Sequence, residues 1–484
     1  MINLRISGHQ TASTLVWLGL VFTMPQAGSA QIPPEPASPI TEHAGATWVP
    51  AAEGNFAPAN RPVDGPLDMV IIHDIEGSTQ AAVSIFQRPG AKVSAHYIVG
   101  NDGKVLQMLR ERDVGWHAGN GAINRRSIGI EMEGHAYRPG FYSPTLYETT
   151  ARLVRDITTR RNIPRDRTHI ISHAEVPSPR DPTKFGGASG HTDPGPYWNW
   201  NMFMTLVRNH ARVVESTVPA TIRPGEVLPA SVTFENAGDD PWPGNAARNP
   251  NTGLQASGPV VYLGTEQAQA SPFFNLQGWV SPILAAGTKA DVAPGTTTRF
   301  EFTLRGPNQL GDINQTLRLS TWPTAAQGGS PVAFGDKVEM KVKVVPWTID
   351  LAAPDSPAPS PAQPATIPAS IAQWTTNLPT GGYWAIYASP PKPSKLRRAP
   401  AFVYGIGVEK GETKIEARDA GKGFVFLGYH LVPEPTRNAS PLSVSLKSAP
   451  QGINSFNAGA LRFVGPFANL PSVLDTMQAK PTSR

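Results

Sequence analysis

The chain of 484 residues contains no cysteine. Structural disulfides, a lipid-modified cysteine anchor, a thiolate nucleophile and a thiolate metal ligand are all excluded, so any bound metal must be held by histidine and carboxylate. Charge is sparse as well. Only 16% of residues are charged and the formal net charge is +5, and no Lys/Arg cluster interleaves with aromatics as a nucleic-acid surface would require. The apolar run near the N-terminus, Leu15-Val-Trp-Leu-Gly-Leu-Val-Phe22, is too short to cross a bilayer core of about 30 Å as a helix. With Arg5 before it and Ala27-Gly-Ser-Ala30 after it, it reads as a secretory signal, with cleavage expected after Ala30. That leaves no membrane anchor and implies a secreted or periplasmic protein. The Pro-rich segment Gln31 to Pro39 that follows disfavours reading the run as a buried strand.

Glycine (45) and proline (50) are abundant, and many short Val/Thr/Phe stretches lie between them, which favours β-rich domains joined by linkers. The length suggests two or three domains. Residues 61–212 read as mixed α/β. Met69-Val-Ile-Ile72 is a buried-strand pattern, Val93 to Val99 a second and Ser127-Ile-Gly-Ile-Glu131 a third. Ser143-Pro144 offers a helix N-cap with proline at the first helical position. Leu146, Leu153, Val154 and Ile157 then keep helical spacing up to Arg160-Arg161. His169-Ile-Ile-Ser172 is a further buried strand, followed by a long Pro/Gly-rich loop from Pro177 to Pro196. From about residue 213 apolar residues alternate with polar ones, as at Met340, Val342 and Val344, and turn pairs such as Pro224-Gly225 and Pro294-Gly295 punctuate the chain. This is a β-sandwich pattern.

The expected organisation is therefore a signal peptide (1–30), an N-terminal extension (31–60), an α/β domain with a mixed central sheet flanked by helices (61–212), a β-sandwich (213–348), a Pro-rich linker (349–369), a second β-sandwich (370–466) and a polar tail (467–484).

Chemistry-bearing residues concentrate in the α/β segment. His73 directly follows the first buried strand, and His173 follows the strand Ile170-Ile171-Ser172 in the same way. The next loop brings a histidine and a carboxylate together in Gly190-His-Thr-Asp-Pro-Gly-Pro196, Glu131 lies on the third strand, and Trp116-His117 sits in a Gly-flanked loop. Two imidazoles and one carboxylate suit zinc, and a fourth position left to water makes such a site catalytic. Bound water then ionises near neutral pH and can attack a polarised amide carbonyl. The attack needs a proton acceptor and a group that supports the oxyanion. By residue type Glu131 suits the first role and His191 the second. Glu133 alternates with Glu131 on one strand face and is the other candidate base. His96 and Tyr97 either line the cleft or pack within the strand, and His135 and His169 read as structural or solvent-facing.

Six stretches carry a resemblance: Val70-Ile-Ile-His73, Val93-Ser-Ala-His-Tyr-Ile-Val-Gly-Asn-Asp-Gly103, Trp116-His-Ala-Gly119, Ser127-Ile-Gly-Ile-Glu-Met-Glu-Gly134, Ile171-Ser-His173 and His191-Thr-Asp-Pro-Gly-Pro196. In this order they resemble the type 2 family of N-acetylmuramoyl-L-alanine amidases, relatives of phage amidases and peptidoglycan recognition proteins. The resemblance implies zinc ligands at His73, His173 and Asp193, a catalytic glutamate at Glu131, a transition-state partner at His191, and a groove bordered by Trp116, His117 and His96. The implied partner is bacterial peptidoglycan, and the implied reaction cleaves the amide between the muramic lactyl group and L-alanine. The alternative is a non-catalytic recognition or surface-adhesion protein. Ala95 stands where some branches carry a tyrosine, so the branch using glutamate is the better guide. The loop from His173 to Asp193 is long and contains Asp181 as a competing ligand; Pro-Gly-Pro after Asp193 and His191 before it favour Asp193. Residues 213 to 346, with Trp242, Trp279 and Trp322, resemble a tryptophan-rich Ig-like domain. Residues 370 to 464, with Trp374-Thr-Thr-Asn-Leu-Pro-Thr-Gly-Gly-Tyr383, resemble a golvesin C-terminal-like domain.

Overall fold

The computed structural model describes residues 41–244, 260–322, 330–352, 372–389, 402–406, 411–415, 421, 423–433, 442–448, 459–467 and 469. The expected signal peptide, most of the Pro-rich linker and nearly all of the polar tail lie outside the described residues. No described helix is long and apolar enough to cross a membrane.

The first unit is built on strands β1 (Thr47–Trp48), β2 (Phe56–Ala57), β3 (Met69–Asp74), β4 (Tyr97–Val99), β5 (Val105–Gln107), β6 (Val114–Gly115), β7 (Ser127–Met132) and β8 (Ile170–Ser172). Six of them form one sheet in the order β1-β5-β4-β7-β3-β8. The neighbours β4/β7, β7/β3 and β3/β8 are parallel, and β4/β5 is antiparallel. The mixed sheet follows the sequence pattern, but the boundary moves. The segment 31–60, set apart as an extension, supplies the edge strand β1, which pairs with β5, and β2, which pairs with β6. Val93 to Ser94 and Ala95 to His96 stay outside β4, so the second expected strand is shorter than its apolar pattern.

Alternation explains the layers. Val70 and Ile72 of β3 and Ile128, Ile130 and Met132 of β7 face a core shared with α3 (Pro144–Arg161), whose Leu146, Leu153, Val154 and Ile157 are fully buried. Ser143 caps this helix by accepting from the Leu146 amide, Pro144 opens it, and Asn162 closes it in the left-handed region, as the sequence signals anticipate. Three helices lack so clear a signal: α1 (Thr79–Phe86), the single turn α2 (Gly121–Asn124) and α4 (Trp200–Arg208). The opposite face of β3, Met69 and Ile71, packs with Ala118, Ile171 and Val176.

A buried charge stabilises the edge of this sheet. Glu111 is fully buried and takes Arg160 at 2.7 Å, Arg161 at 2.6 Å and the Tyr97 hydroxyl at 2.7 Å. Burial alone would raise its carboxyl, but the bonds from Arg160, Tyr97 and Arg161 outweigh that and hold it below the usual range. Removing one partner of such a pair strands the others. Glu111→Ala is expected to cost about 3 kcal/mol, the lower end for a buried pair because both guanidinium groups keep some solvent. A depressed folded pKa contributes stability that is present above the unfolded value of about 4.3 and is lost as pH falls below it. Urea unfolding at several pH values should therefore show the gap between wild type and variant narrowing in acid.

Two further units follow. β9 (Ala211–Thr217), β11 (Val227–Asn236) and β14 (Thr297–Arg305) form a three-stranded sheet. β10 (Thr221–Ile222), β12 (Val260–Thr265), β13 (Leu284–Gly287), β15 (Gly311–Trp322) and β16 (Val332–Val344) form a five-stranded one. On β16, Val338, Met340, Val342 and Val344 are buried while Glu339, Lys341 and Lys343 are exposed. The apolar cluster beneath these sheets is continuous with that of α3 and α4, and Arg318, almost fully buried, reaches Glu148 of α3 at 2.7 Å. The last unit has the sheets β17-β24-β19-β22 and β18-β23-β20-β21, from β17 (Trp347–Leu351), β18 (Ala372–Thr376), β19 (Gly382–Ser389), β20 (Phe402–Ile406), β21 (Gly411–Ile415), β22 (Val425–Val432), β23 (Leu442–Ser448) and β24 (Ala460–Phe467). Because β17 pairs with β24, residues 347–351 belong to this unit and not to the preceding domain or the linker. Trp242, Trp279, Trp374 and Trp384 are all buried; they fill cores and offer no surface to a sugar.

Candidate functional site

In open α/β sheets, side chains placed just beyond the C-terminal ends of parallel strands border the ligand crevice. His73 lies near the end of β3 and His173 directly follows β8, the strand paired with β3. Glu131 is the register partner of His73 on β7, so both side chains leave the same face of the sheet. Asp193 arrives from the long loop. It is anchored there by its carbonyl, which accepts the Ala174 amide at 3.1 Å.

His73, His173 and Asp193 converge and are all nearly buried. The two Nδ1 atoms are 3.1 Å apart, His73 Nδ1 lies 3.3 Å from Asp193 Oδ2, and His173 Nδ1 lies 3.2 Å from Asp193 Oδ1. Four-coordinate zinc with bonds of about 2.0–2.1 Å separates its ligand atoms by about 3.3 Å, so the donor set fits that ion in both spacing and chemistry. Burial pushes His73 down to about 4 against the hydrogen bond to Asp193, which keeps the imidazole neutral, the state that ligates. Burial would raise Asp193, but its bonds to His173 and His73 prevail and hold it well below the carboxylate range. Asp181 is elsewhere: its side chain is half-exposed, bonded to Thr183 at 2.6 Å and beside Lys184.

Glu131 is half-buried beside this group, and no described hydrogen bond engages its carboxylate. Burial first, then the negative charges of Asp193 and Asp74, push its carboxyl well above the ordinary range. Glu133 is occupied otherwise: it accepts the Asn101 amide at 2.9 Å and holds the β4–β5 turn. His191 stacks on His173 at 4.3 Å with rings 15° apart, and its Nδ1 lies 3.6 Å from Asp193 Oδ1. Half its side chain is exposed, and burial of the rest lowers its pKa. The ring therefore stands partly exposed beside Asp193 and His173.

His96 and His117 need correcting as substrate contacts. His96 has no exposed surface; its Nδ1 accepts the Gly129 amide at 3.0 Å and its Nε2 lies 3.0 Å from the Asp113 carbonyl. His117 is likewise buried, behind His73, with Nδ1 3.0 Å from His73 Nε2 and Nε2 3.3 Å from Ser127 Oγ. Its ring fills the place where a Cβ on Gly129 would stand. Thus Ser127, Gly129 and Glu131, alternate residues of β7, present one face to the site: a hydroxyl, a gap for His117 and a carboxylate. Trp116 remains partly exposed, with Lys92 Nζ 5.5 Å from its ring centre. Asp74 and Tyr142 belong to no catalytic pattern in the sequence, yet both reach this site. The Asp74 amide is 3.4 Å from Asp193 Oδ2, and the Tyr142 hydroxyl is 2.7 Å from Asp74 Oδ2. Asp74 was open to notice as the residue after His73, whereas Tyr142 carries no local signal.

The segment that holds these residues is similar to known proteins. Residues 63–196 match the family described as N-acetylmuramoyl-L-alanine amidase. Over 172 residues the chain is 33% identical to N-acetylmuramoyl-L-alanine amidase A of Achromobacter lyticus, covering 34% of this chain and 93% of that protein. It is 30% identical over 122 residues to the 1,6-anhydro-N-acetylmuramyl-L-alanine amidase AmpD of Citrobacter freundii, covering 24% of this chain and 58% of that relative. Among solved structures, a selenomethionine derivative of AmpD matches at 26% identity over 34% of this chain and 96% of its own, with a TM-score of 0.28.

Proposed function

Because this chain belongs to the N-acetylmuramoyl-L-alanine amidase family, we propose that it hydrolyses the amide between the lactyl group of N-acetylmuramic acid and L-alanine in peptidoglycan, with zinc held by His73, His173 and Asp193. The observation that carries this reading is the triangle of two imidazoles and a carboxylate at 3.1–3.3 Å next to an unengaged carboxylate. Zinc in a site with three protein ligands supplies Lewis acidity and lowers the pKa of coordinated water.

The chain's own residues divide the remaining work. Glu131 takes the proton of the attacking water and passes it to the leaving amine. A carboxyl held above its ordinary range suits both steps, because a general base works best with a pKa near the operating pH. His191 offers an N–H to the developing oxyanion from the rim of the site. Trp116 lends an aromatic surface at the groove. His117 and His96 act from behind the sheet's surface, fixing the His73 ring and the strand that carries Glu131. A secreted or periplasmic location follows from the substrate, and the two C-terminal units serve as β-sandwich modules, Ig-like and golvesin-like.

The test uses the full-length protein and defined muropeptides, with products read by mass spectrometry. Release of the stem peptide with a free L-alanine amine is expected, abolished by a chelator and restored by added zinc. Intact muropeptides after prolonged incubation with zinc present would leave a binding role in place of catalysis.

A further inference from the structure

The ligands of the proposed metal site come from elements far apart in sequence: His73 from β3 and Asp193 from a loop about 120 residues later, a separation whose closure costs entropy. Something must hold that loop against the strand. One candidate bond is long: the Asp74 amide lies 3.4 Å from Asp193 Oδ2. A shorter link runs through Tyr142. Its hydroxyl is 2.7 Å from Asp74 Oδ2, the residue after His73, and 2.7 Å from the carbonyl of Pro194, the residue after Asp193. A phenol has one proton, so the two acceptors share it. The ring itself is nearly buried and packs edge-on to Trp198 at 5.2 Å.

The backbone around this contact leaves no room for anything larger. A Cβ on Gly134 would overlap Asp74 Oδ2 and lie 2.5 Å from the Tyr142 ring. On the loop side, Gly195 has φ +76°, and a Cβ there would meet the Ala136 carbonyl at 2.5 Å. Strand end, tyrosine and ligand loop are thus pressed together along residues 134–136.

We propose that Tyr142 is a positioning residue for the metal site: by joining Asp74 to the Pro194 carbonyl, it clasps the Asp193 loop onto the strand that carries His73. The inference rests on the zinc site proposed above. Partners outside the ligand set commonly alter metal affinity by about 10–100-fold. The expected behaviour of Tyr142→Phe is therefore a zinc dissociation constant raised about 10–100-fold, measured on the full-length protein by competition with a chromophoric chelator. The metal-free variant still unfolds in one cooperative transition, its midpoint lowered only modestly by the lost hydrogen bonds, because the ring and its packing remain. The visible spectrum of the cobalt-substituted protein changes as well, a readout that a purely structural loss would not move. Asp74→Ala weakens zinc similarly, and the double variant is no weaker than the worse single one, since both changes open the same link. Zinc affinity of Tyr142→Phe within about twofold of wild type, below the range for such partners, overturns the clasp; so do losses that multiply in the double variant. A wild-type protein that binds no zinc sinks the metal-site reading itself, a result distinguishable from failure of the clasp.

Discussion

Glu131→Gln is expected to retain zinc and lose turnover by about 100-fold or more, the scale for removing a general base. Glutamine keeps the volume and one carbonyl acceptor, so the register of β7 against β3 that sets His73 beside residue 131 is undisturbed. What disappears is, among the described residues, the one carboxylate on this face that no described hydrogen bond engages. Glu133 cannot replace it, because its carboxylate holds the Asn101 amide, and Asp74 is engaged by Tyr142 and by the Glu76 amide at 2.7 Å. The check is steady-state kinetics on muropeptides alongside a zinc titration. Full activity in Glu131→Gln would move the base to another residue, and loss of zinc would make Glu131 part of the ligand environment.

Asp193→Ala should have the opposite signature: zinc affinity falls first and activity follows it. The side chain spans both imidazoles, 3.3 Å from His73 Nδ1 and 3.2 Å from His173 Nδ1, and is the carboxylate of the three-residue donor set. Loss of a direct ligand should exceed the roughly 10–100-fold seen for outer partners. Excess zinc should recover at most a fraction of the rate. Asp181→Ala is the matched control, with zinc affinity expected to equal wild type, since that carboxylate is half-exposed, bonded to Thr183 and absent from the donor group. Equilibrium dialysis with metal analysis decides between the two aspartates; a loss confined to Asp181→Ala would reverse the assignment.

Much of the site was legible because its residues obey local rules. A histidine after an apolar strand, twice, and an acid in a Pro/Gly loop are visible without coordinates, and so is the period of two that places Glu131 opposite Ile130 and Met132. Helix α3 was equally plain from Ser143, Pro144 and its apolar spacing. Helices α1 and α4 were not: α1 is eight residues long and α4 nine, too short for periodicity to separate them from loop or strand.

The residues behind the ligands show where local rules end. His96 and His117 look like groove residues in sequence, because a histidine beside tyrosine or tryptophan suits either a cleft or a core. Burial decided otherwise, through the gap at Gly129 that admits the His117 ring. The edge strand β1 was equally hidden, since two residues carry no pattern and only pairing with β5 gives them a place.

The sequence by itself determined the donor chemistry: without cysteine, two strand-end histidines and a loop carboxylate are the natural set, and strand alternation sends Glu131 to their side. Tertiary structure decided which residues touch. It brought Asp193 rather than Asp181 to the histidines, engaged Glu133 elsewhere, turned His117 toward His73 and set Tyr142 between strand and ligand loop. The physical reason is that element type and side-chain face follow from short-range periodicity, whereas contacts between segments far apart depend on how the loops close over the sheet.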